Sequence, residues 1–235
     1  MEEDEARAQL DGTDLVLSIG GDGTILRAAR IVTPSSVPIL GINLGRLGFI
    51  TELDSNEVLS QLPGLLEGKG WIEERAMLMA QLGGKSLHAL NDVVLRSVAV
   101  RLVNIEAEVD STALTTYRAD GIIVATATGS TSYSLASGGP ILHPQSSNIV
   151  LQPISCHLGL SHALVLPSQS TITVRVARGE KVLLSIDGQV ELPLSDGQNI
   201  TTKLSPHVAR FLRIHEPGYF YGSLWQKLGG RGETG

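Results

Sequence analysis

An acidic residue framed by glycines at the end of an apolar run, Gly20-Gly21-Asp22-Gly23, is the first constellation in the chain able to do chemistry. Glycines let backbone N–H groups touch a phosphate, a following helix N-terminus favours its negative charge, and an adjacent carboxylate can accept a proton from an attacking hydroxyl. Gly20, Gly21, Gly23 and Thr24 are the expected phosphate contacts and Asp22 the expected proton acceptor. The plainer alternative is a sharp turn with Asp22 as a helix cap. Residues 117–140, YRADGIIVATATGSTSYSLASGGP, gather Thr126, Thr128, Ser130, Thr131, Ser132, Tyr133 and Ser134 with Gly129, Gly138 and Gly139. So many hydroxyl and N–H groups in one loop suit a polyhydroxylated, phosphorylated ligand. Asn91-Asp92 offers donors and acceptors to vicinal ribose hydroxyls, although such a pair in isolation reads as a turn.

Other chemistries lack their residues. Gly84-Lys85-Ser86 has the tail of a Walker loop, but Met79 stands where its first glycine belongs, so this stretch reads as a β-turn. Leu26 replaces the third glycine of a dinucleotide fingerprint, and no Gly-x-Ser-x-Gly elbow occurs. His157 and His162 are five apart, a spacing that does not share a helix face, and no acidic or thiol cluster completes a zinc site. No metal-ligating residue is therefore expected.

The elements that must carry these residues follow from periodicity. Residues 15–19 form an apolar strand; Ile25, Leu26, Ala28, Ala29 and Ile31 mark a short helix that Pro34 would end; residues 37–45 give another strand. Strand, turn, helix and strand in about thirty residues make a βαβ unit with parallel pairing. Residues 54–68 predict an amphipathic helix weakened by Pro63, and the charged residues 1–11 a solvated helix or frayed end. Beyond Trp71 strand-like runs take over at 78–82, 89–95, 104–109, 121–126, 148–153, 171–176, 181–186 and 199–204. Asp187-Gly188 and Asp196-Gly197 supply hairpin turns. The expected class is α/β plus all-β: a Rossmann-like α/β domain followed by a β-rich, β-sandwich-like domain.

Composition sets outer bounds. A chain of 235 residues can bury a core in one or two domains. The single cysteine, Cys156, excludes an internal disulfide; with no signal-peptide pattern, a cytoplasmic setting is expected. Cys156 itself reads as core filling. Every apolar run is interrupted well short of the roughly 18 residues a membrane helix needs, so no membrane partner is expected. With net charge -6 and eighteen scattered Lys and Arg residues there is no basic stripe for nucleic acid.

GGDG, Asn91-Asp92, the block from Arg118-x-Asp120-Gly121 to Pro140 and Asp187-Gly188-Gln189 occur in the order and rough spacing of the NAD kinase family, which the chain resembles over about residues 14–190. The resemblance implies transfer of the γ-phosphate of ATP to the 2′-hydroxyl of the adenosine ribose of NAD, giving NADP, with Asp22 as general base. It implies NAD contacts at Asp22, Gly23, Asn91, Asp92, Arg118, Asp120, Thr128, Thr131, Ser132, Tyr133, Ser134, Leu135, Ala136 and Gln189. Mg²⁺ or another divalent cation would arrive mainly on ATP. A homodimer or homotetramer is implied too, because in this family part of the pocket comes from a neighbouring subunit. The expected domains are residues 1–73, a nucleotide-binding unit against which 207–235 could pack, and 74–206, the β-rich NAD-binding unit. Because GGDG also occurs in diacylglycerol- and sphingosine-type lipid kinases, such a kinase is one alternative; a catalytically silent NAD-binding protein is another.

The chain departs from the family pattern in three places. Only nineteen residues precede Gly20 where several dozen are usual, so the first domain reads as cut short. Cys156-His157-Leu158-Gly159 and His162-Ala163 replace Pro-His-Ser-Leu and Arg-Pro. Ala127 replaces a proline, removing its fixed φ from the loop.

Overall fold

The computed structural model describes residues 3–33, 35–45, 48–177, 179–194 and 197–228. In chain order its first elements are α1 (Glu3–Ala8), β1 (Val16–Ile19), α2 (Asp22–Val32), β2 (Ile39–Asn43), β3 (Leu53–Asp54) and α3 (Val58–Leu66). Strands β4 (Trp71–Leu82), β5 (Lys85–Ala89), β6 (Asp92–Ser97), β7 (Val103–Val109), β8 (Thr112–Ala119) and β9 (Gly121–Ala125) follow. After a 3-10 turn at Gly129–Thr131 come α4 (Tyr133–Ala136), β10 (Ile149–Ile154), β11 (Leu164–Leu166), β12 (Ile172–Val176), β13 (Val182–Ile186), β14 (Val190–Leu194), β15 (Asn199–Arg213) and α5 (Tyr219–Lys227). The chain divides into two compact units, one of residues up to 74 plus those from 209, the other of residues 75–208.

The first unit is α/β. β1 pairs β2 in parallel from Val16↔Ile39 to Ile19↔Ile42, and β3 and the end of β15 also join β2 in parallel. Helix α2 buries Ile25, Leu26, Ala29 and Val32; burying each of the larger side chains contributes about 1.5–3 kcal/mol. It starts at Asp22 itself, so the acid lies in the first helical turn, and Gly21 is the cap. Pro34, expected to end α2, lies outside the described residues; Val32 is the last helical residue, with Thr33 capping. The helix expected over 54–68 is shorter, because Asp54 is drawn into β3 and its Oδ1 accepts the Asn56 and Glu57 N–H groups. Pro63 sits inside α3 and removes one donor from it.

The second unit is a sandwich of antiparallel sheets. One is ordered β11-β10-β9-β6-β13-β14. In the other, β8, β7, β12 and β15 are successive neighbours. Their facing sides share one core that includes Leu95, Ile105, Tyr117, Ile122, Leu151, Val174, Leu184 and Ile200. β12 alternates as its sequence predicts, with Ile172, Val174 and Val176 inward. β9 and β10 are buried at every position because a second cluster, Val94, Ile123, Ala125, Val150 and Ile154, packs with Leu142 on the opposite face. Gly83-Gly84 forms the two-residue turn of the β4–β5 hairpin, with Leu82 opposite Lys85. Cys156 is only partly buried, its Sγ against the Leu158 carbonyl. Among the described residues no helix is long and apolar enough to cross a membrane.

Candidate functional site

The glycine turn of the first unit is built by its strand and helix. Gly20 closes the parallel ladder, its N–H donating to Ile42, and has φ 151°, a backbone position that a side chain disfavours. Thr24 N–H closes the first turn of α2 on the Gly21 carbonyl. Two of the four expected phosphate contacts thus spend their N–H groups inside the fold, while the Thr24 side chain remains on an exposed residue. A Cβ at Gly21 or Gly23 would meet nothing within 4 Å, so the chain's own packing does not demand glycine there.

Asp22 is half-buried, and residues remote in sequence hold it. Its Oδ2 accepts the Phe49 N–H at 2.9 Å and its Oδ1 the Ile50 N–H at 3.1 Å. The backbone runs so close that a Cβ at Gly48 would fall 2.2 Å from Oδ1. Sequence reasoning missed this loop; Asn43 at the end of β2, whose amide makes two hydrogen bonds with Gly45, and Gly48 beyond it were the available signals.

In the second unit, sheet order gathers the polar residues. The pairs Asp92↔Ala125 and Val93↔Ile186 put the start of β6 and the ends of β9 and β13 on one edge. Asn91, Asp92, the loop after Ala125 and the Asp187-Gly188 turn therefore converge. Asp187, read from sequence only as a turn residue, fixes the group: its carboxylate accepts the N–H groups of Leu90 at 2.8 Å, Asn91 at 2.7 Å and Asp92 at 3.0 Å. Thr126 Oγ1 donates to the Leu90 carbonyl and accepts the Gly129 N–H, and Thr126 N–H donates to Asn91 O. The loop passes so tightly that a Cβ at Gly129 would lie 2.1 Å from Asn91 O.

The hydroxyls of the loop divide by role. Thr126 and Ser130 are buried and spent internally, Ser130 Oγ bonding the Ala127 carbonyl and the Leu142 N–H; these bonds hold the loop at Ala127. Thr131 donates to the Thr128 carbonyl. By contrast Asn91 Oδ1, Thr128 Oγ1 and Ser134 Oγ are buried and have no hydrogen-bond partner among the described residues. Buried polar atoms are rarely left so. Ser132, Tyr133 and Ala136 are exposed, Leu135 partly so. Asp92 is 4 % exposed, and burial first, then the Asp187 charge, push its carboxyl up to about 7.

Of three exposed expected contacts, Gln189 adjoins the Asp187-Gly188 turn at this edge, while Arg118 and Asp120 stand apart. Gln189 is exposed in the β13–β14 turn. Arg118 and Asp120 are exposed at the Gly121 end of β9, whereas Asp92 pairs with Ala125 at the other end. At about 3.3 Å a residue, the strand separates them by roughly 13 Å.

Parallel strands feeding a glycine turn, and a sheet edge with unsatisfied buried polar atoms, define a nucleotide-binding protein of mixed α/β and all-β architecture. The family model for the ATP-NAD kinase N-terminal domain matches residues 2–70 and that for the ATP-NAD kinase C-terminal domain residues 90–214. An NAD kinase from Dehalococcoides mccartyi is 41% identical over 98% of this chain and 84% of its own length. One from Chloroflexus aurantiacus is 42% identical over 92% and 80%. A yeast NADH kinase solved with NADH superposes with TM-score 0.84 at 30% identity, covering 95% of this chain and 67% of that one. An Archaeoglobus fulgidus NAD kinase solved with ATP gives 0.82 at 27%, over 95% and 86%. The chain belongs to the NAD kinase family.

Proposed function

We propose that this chain phosphorylates NAD at the 2′-hydroxyl of its adenosine ribose with ATP as donor, Asp22 serving as general base. The observation that carries the assignment of the base is the placement of Asp22: two backbone N–H groups fix its carboxylate beside glycines that leave open space around the turn. A ribose hydroxyl is a poor nucleophile at neutral pH, so a fixed proton acceptor and an aligned phosphate supply the main catalytic terms. The relatives solved with ATP and with NADH support both ligand classes.

Asn91, Asp92, Thr128 and Ser134 would receive NAD, since at this edge buried atoms of Asn91, Thr128 and Ser134 lack partners and the Asp92 carboxyl is raised in pKa. Thr131, Ser132, Tyr133, Leu135, Ala136 and Gln189 complete that surface in this reading. The exposed Arg118 and Asp120 would serve the pocket of a neighbouring subunit in a homodimer or homotetramer. Residues 1–73 with 207–235 would form the nucleotide-binding domain and 74–206 the NAD-binding domain. Among the described residues no three His, Cys, Asp or Glu side chains form a metal cluster; Mg²⁺ would enter with ATP as part of the substrate, neutralising phosphate charge.

Incubation with ATP, Mg²⁺ and either NAD or NADH, with NADP or NADPH as the readout, tests the reading. Product formation is expected, and Asp22→Asn should keep NAD binding while losing about 10²–10⁴-fold in kcat. NAD binding without turnover by the unaltered chain would favour a silent binder. Full activity in the variant would remove Asp22 from its role. The curated relatives are NAD kinases, and nothing in the site favours the lipid-kinase alternative.

A further inference from the structure

The loop that holds Asp22 is itself held from behind by a buried ionic cluster that no step of the reaction uses. Arg213, at the end of β15, is 5 % exposed. Its Nη1 donates to the Ile50 carbonyl at 2.8 Å and to Glu52 Oε2 at 3.0 Å, and its Nε to Glu73 Oε2 at 2.7 Å. Glu52 Oε1 in turn accepts the N–H groups of Ile214 at 2.7 Å and His215 at 2.8 Å, and contacts His215 Nδ1 at 3.0 Å. Ile50 thus bonds on both sides: its N–H to the Asp22 carboxylate, its carbonyl to Arg213. The loop stretches from a glycine that touches Asp22 to a glutamate tied to the C-terminal segment, 163 residues away in sequence.

We propose that Arg213 is a positioning residue for the phosphoryl transfer: by bonding the Ile50 carbonyl from a site fixed by Glu52 and Glu73, it holds the Phe49 and Ile50 N–H groups on Asp22. This rests on Asp22 being the base. Two features argue against the cluster being only a stabilising feature of the core. A buried ion pair is a poor source of stability compared with apolar packing, because both partners lose hydration. Moreover one of the two guanidinium nitrogens in use reaches a backbone carbonyl in the loop that sets the carboxylate, although Arg213 and Asp22 do not touch. A glycine-bearing loop has many accessible conformations, and a carboxylate displaced by a fraction of an ångström is no longer aligned with the hydroxyl it must deprotonate. Substrate affinity depends mainly on other groups, so loss of this support should appear in kcat and not in KM.

Arg213→Lys keeps the charge but not the fork, since a single ammonium at the end of a flexible stem does not reproduce the guanidinium's fixed geometry toward Glu73, Glu52 and the Ile50 carbonyl together. We expect a folded protein whose kcat for NADP formation falls about tenfold to a hundredfold with KM for NAD and ATP changed less than about threefold. In the Asp22→Asn background the same replacement should cost nothing further, because its effect passes through Asp22. Glu52→Gln, close in shape but with a weaker hold on Arg213, should give a smaller loss of the same kind and serves if Arg213→Lys does not fold. Unchanged kcat in a folded variant, a loss that multiplies with that of Asp22→Asn, or an effect confined to KM would overturn the proposal. A wild-type chain that makes no NADP, or an Asp22→Asn variant with full activity, would instead sink the functional reading on which it stands.

Discussion

Asp22 and Asp92 are both carboxylates near glycine-rich turns, yet their surroundings prepare them for different work. Asp22 accepts two backbone N–H groups, which fix the orientation of its carboxylate for the proposed role as base. Asp92 is buried beside Asp187 and its carboxyl is raised to about 7. A carboxyl bound more tightly to its proton in the folded than in the unfolded chain stabilises the fold at low pH. That contribution is complete below about pH 4 and is lost as pH rises through about 7. The urea midpoint of the ligand-free protein should therefore decline between pH 4 and 7 by more in wild type than in Asp92→Asn. Equal slopes would show that Asp92 does not titrate there. Ribose hydroxyls donate best to the ionised form, so KM for NAD should also rise as pH falls below 7, by up to about tenfold per unit. Neither behaviour is legible in the letters Asn-Asp; both come first from the burial of Asp92 and then from Asp187, 95 residues on, whose charge the strand order brings to it.

Among the elements, sequence pattern succeeded where burial is one-sided or periodic and failed where neighbours impose the conformation. The βαβ start, the more apolar sandwich strands (β6, β7, β9, β10, β12 and β13) and the alternation of β12 were legible because apolar spacing encodes which face is inward. β8 was not: its residues TALTTYRA are mostly exposed or half-buried, and pairing with β7 from Val103↔Ala119 to Val109↔Thr112 makes it a strand. The helix expected from Asp54 lost its first turn to β3 for the same reason. The hydroxyl-rich loop was recognised as a unit, but which hydroxyls are structural and which unsatisfied depended on the packing of Leu90 and Asn91. Gly129 is the hinge of that packing. Gly129→Ala would press a methyl against the Asn91 carbonyl, where backbone lies on both sides of the contact. It should cost about 1–3 kcal/mol of stability and raise KM for NAD, as denaturant melts and initial rates would show; an unperturbed variant would mean that the loop gives way freely.

At the scale of the molecule, Arg118 and Asp120 pose the question of assembly. Both are exposed and a strand's length from Asp92, and the proposed reading has them reach NAD bound to a second chain. Asp22→Asn and Arg118→Ala, each inactive alone, should then complement one another when dissociated and reassembled together. For random dimers about a quarter of wild-type activity should return, since half the dimers are mixed and half their sites intact. No recovery in demonstrably mixed oligomers would confine the site to one chain.

The sequence by itself determined the two classes of element, the glycine turn around Asp22, the hydroxyl loop and the family, because each is written in residues close together whose spacing or rotational freedom has a local consequence. Tertiary structure alone decided what holds the chemistry in place. The Phe49 and Ile50 donors on Asp22, Asp187 beneath Asn91 and Asp92, and Arg213 behind Ile50 join residues between 27 and 163 positions apart. Hydrogen bonds over such separations leave no periodic trace, and they exist only once sheet order has brought their partners within 3 Å or so.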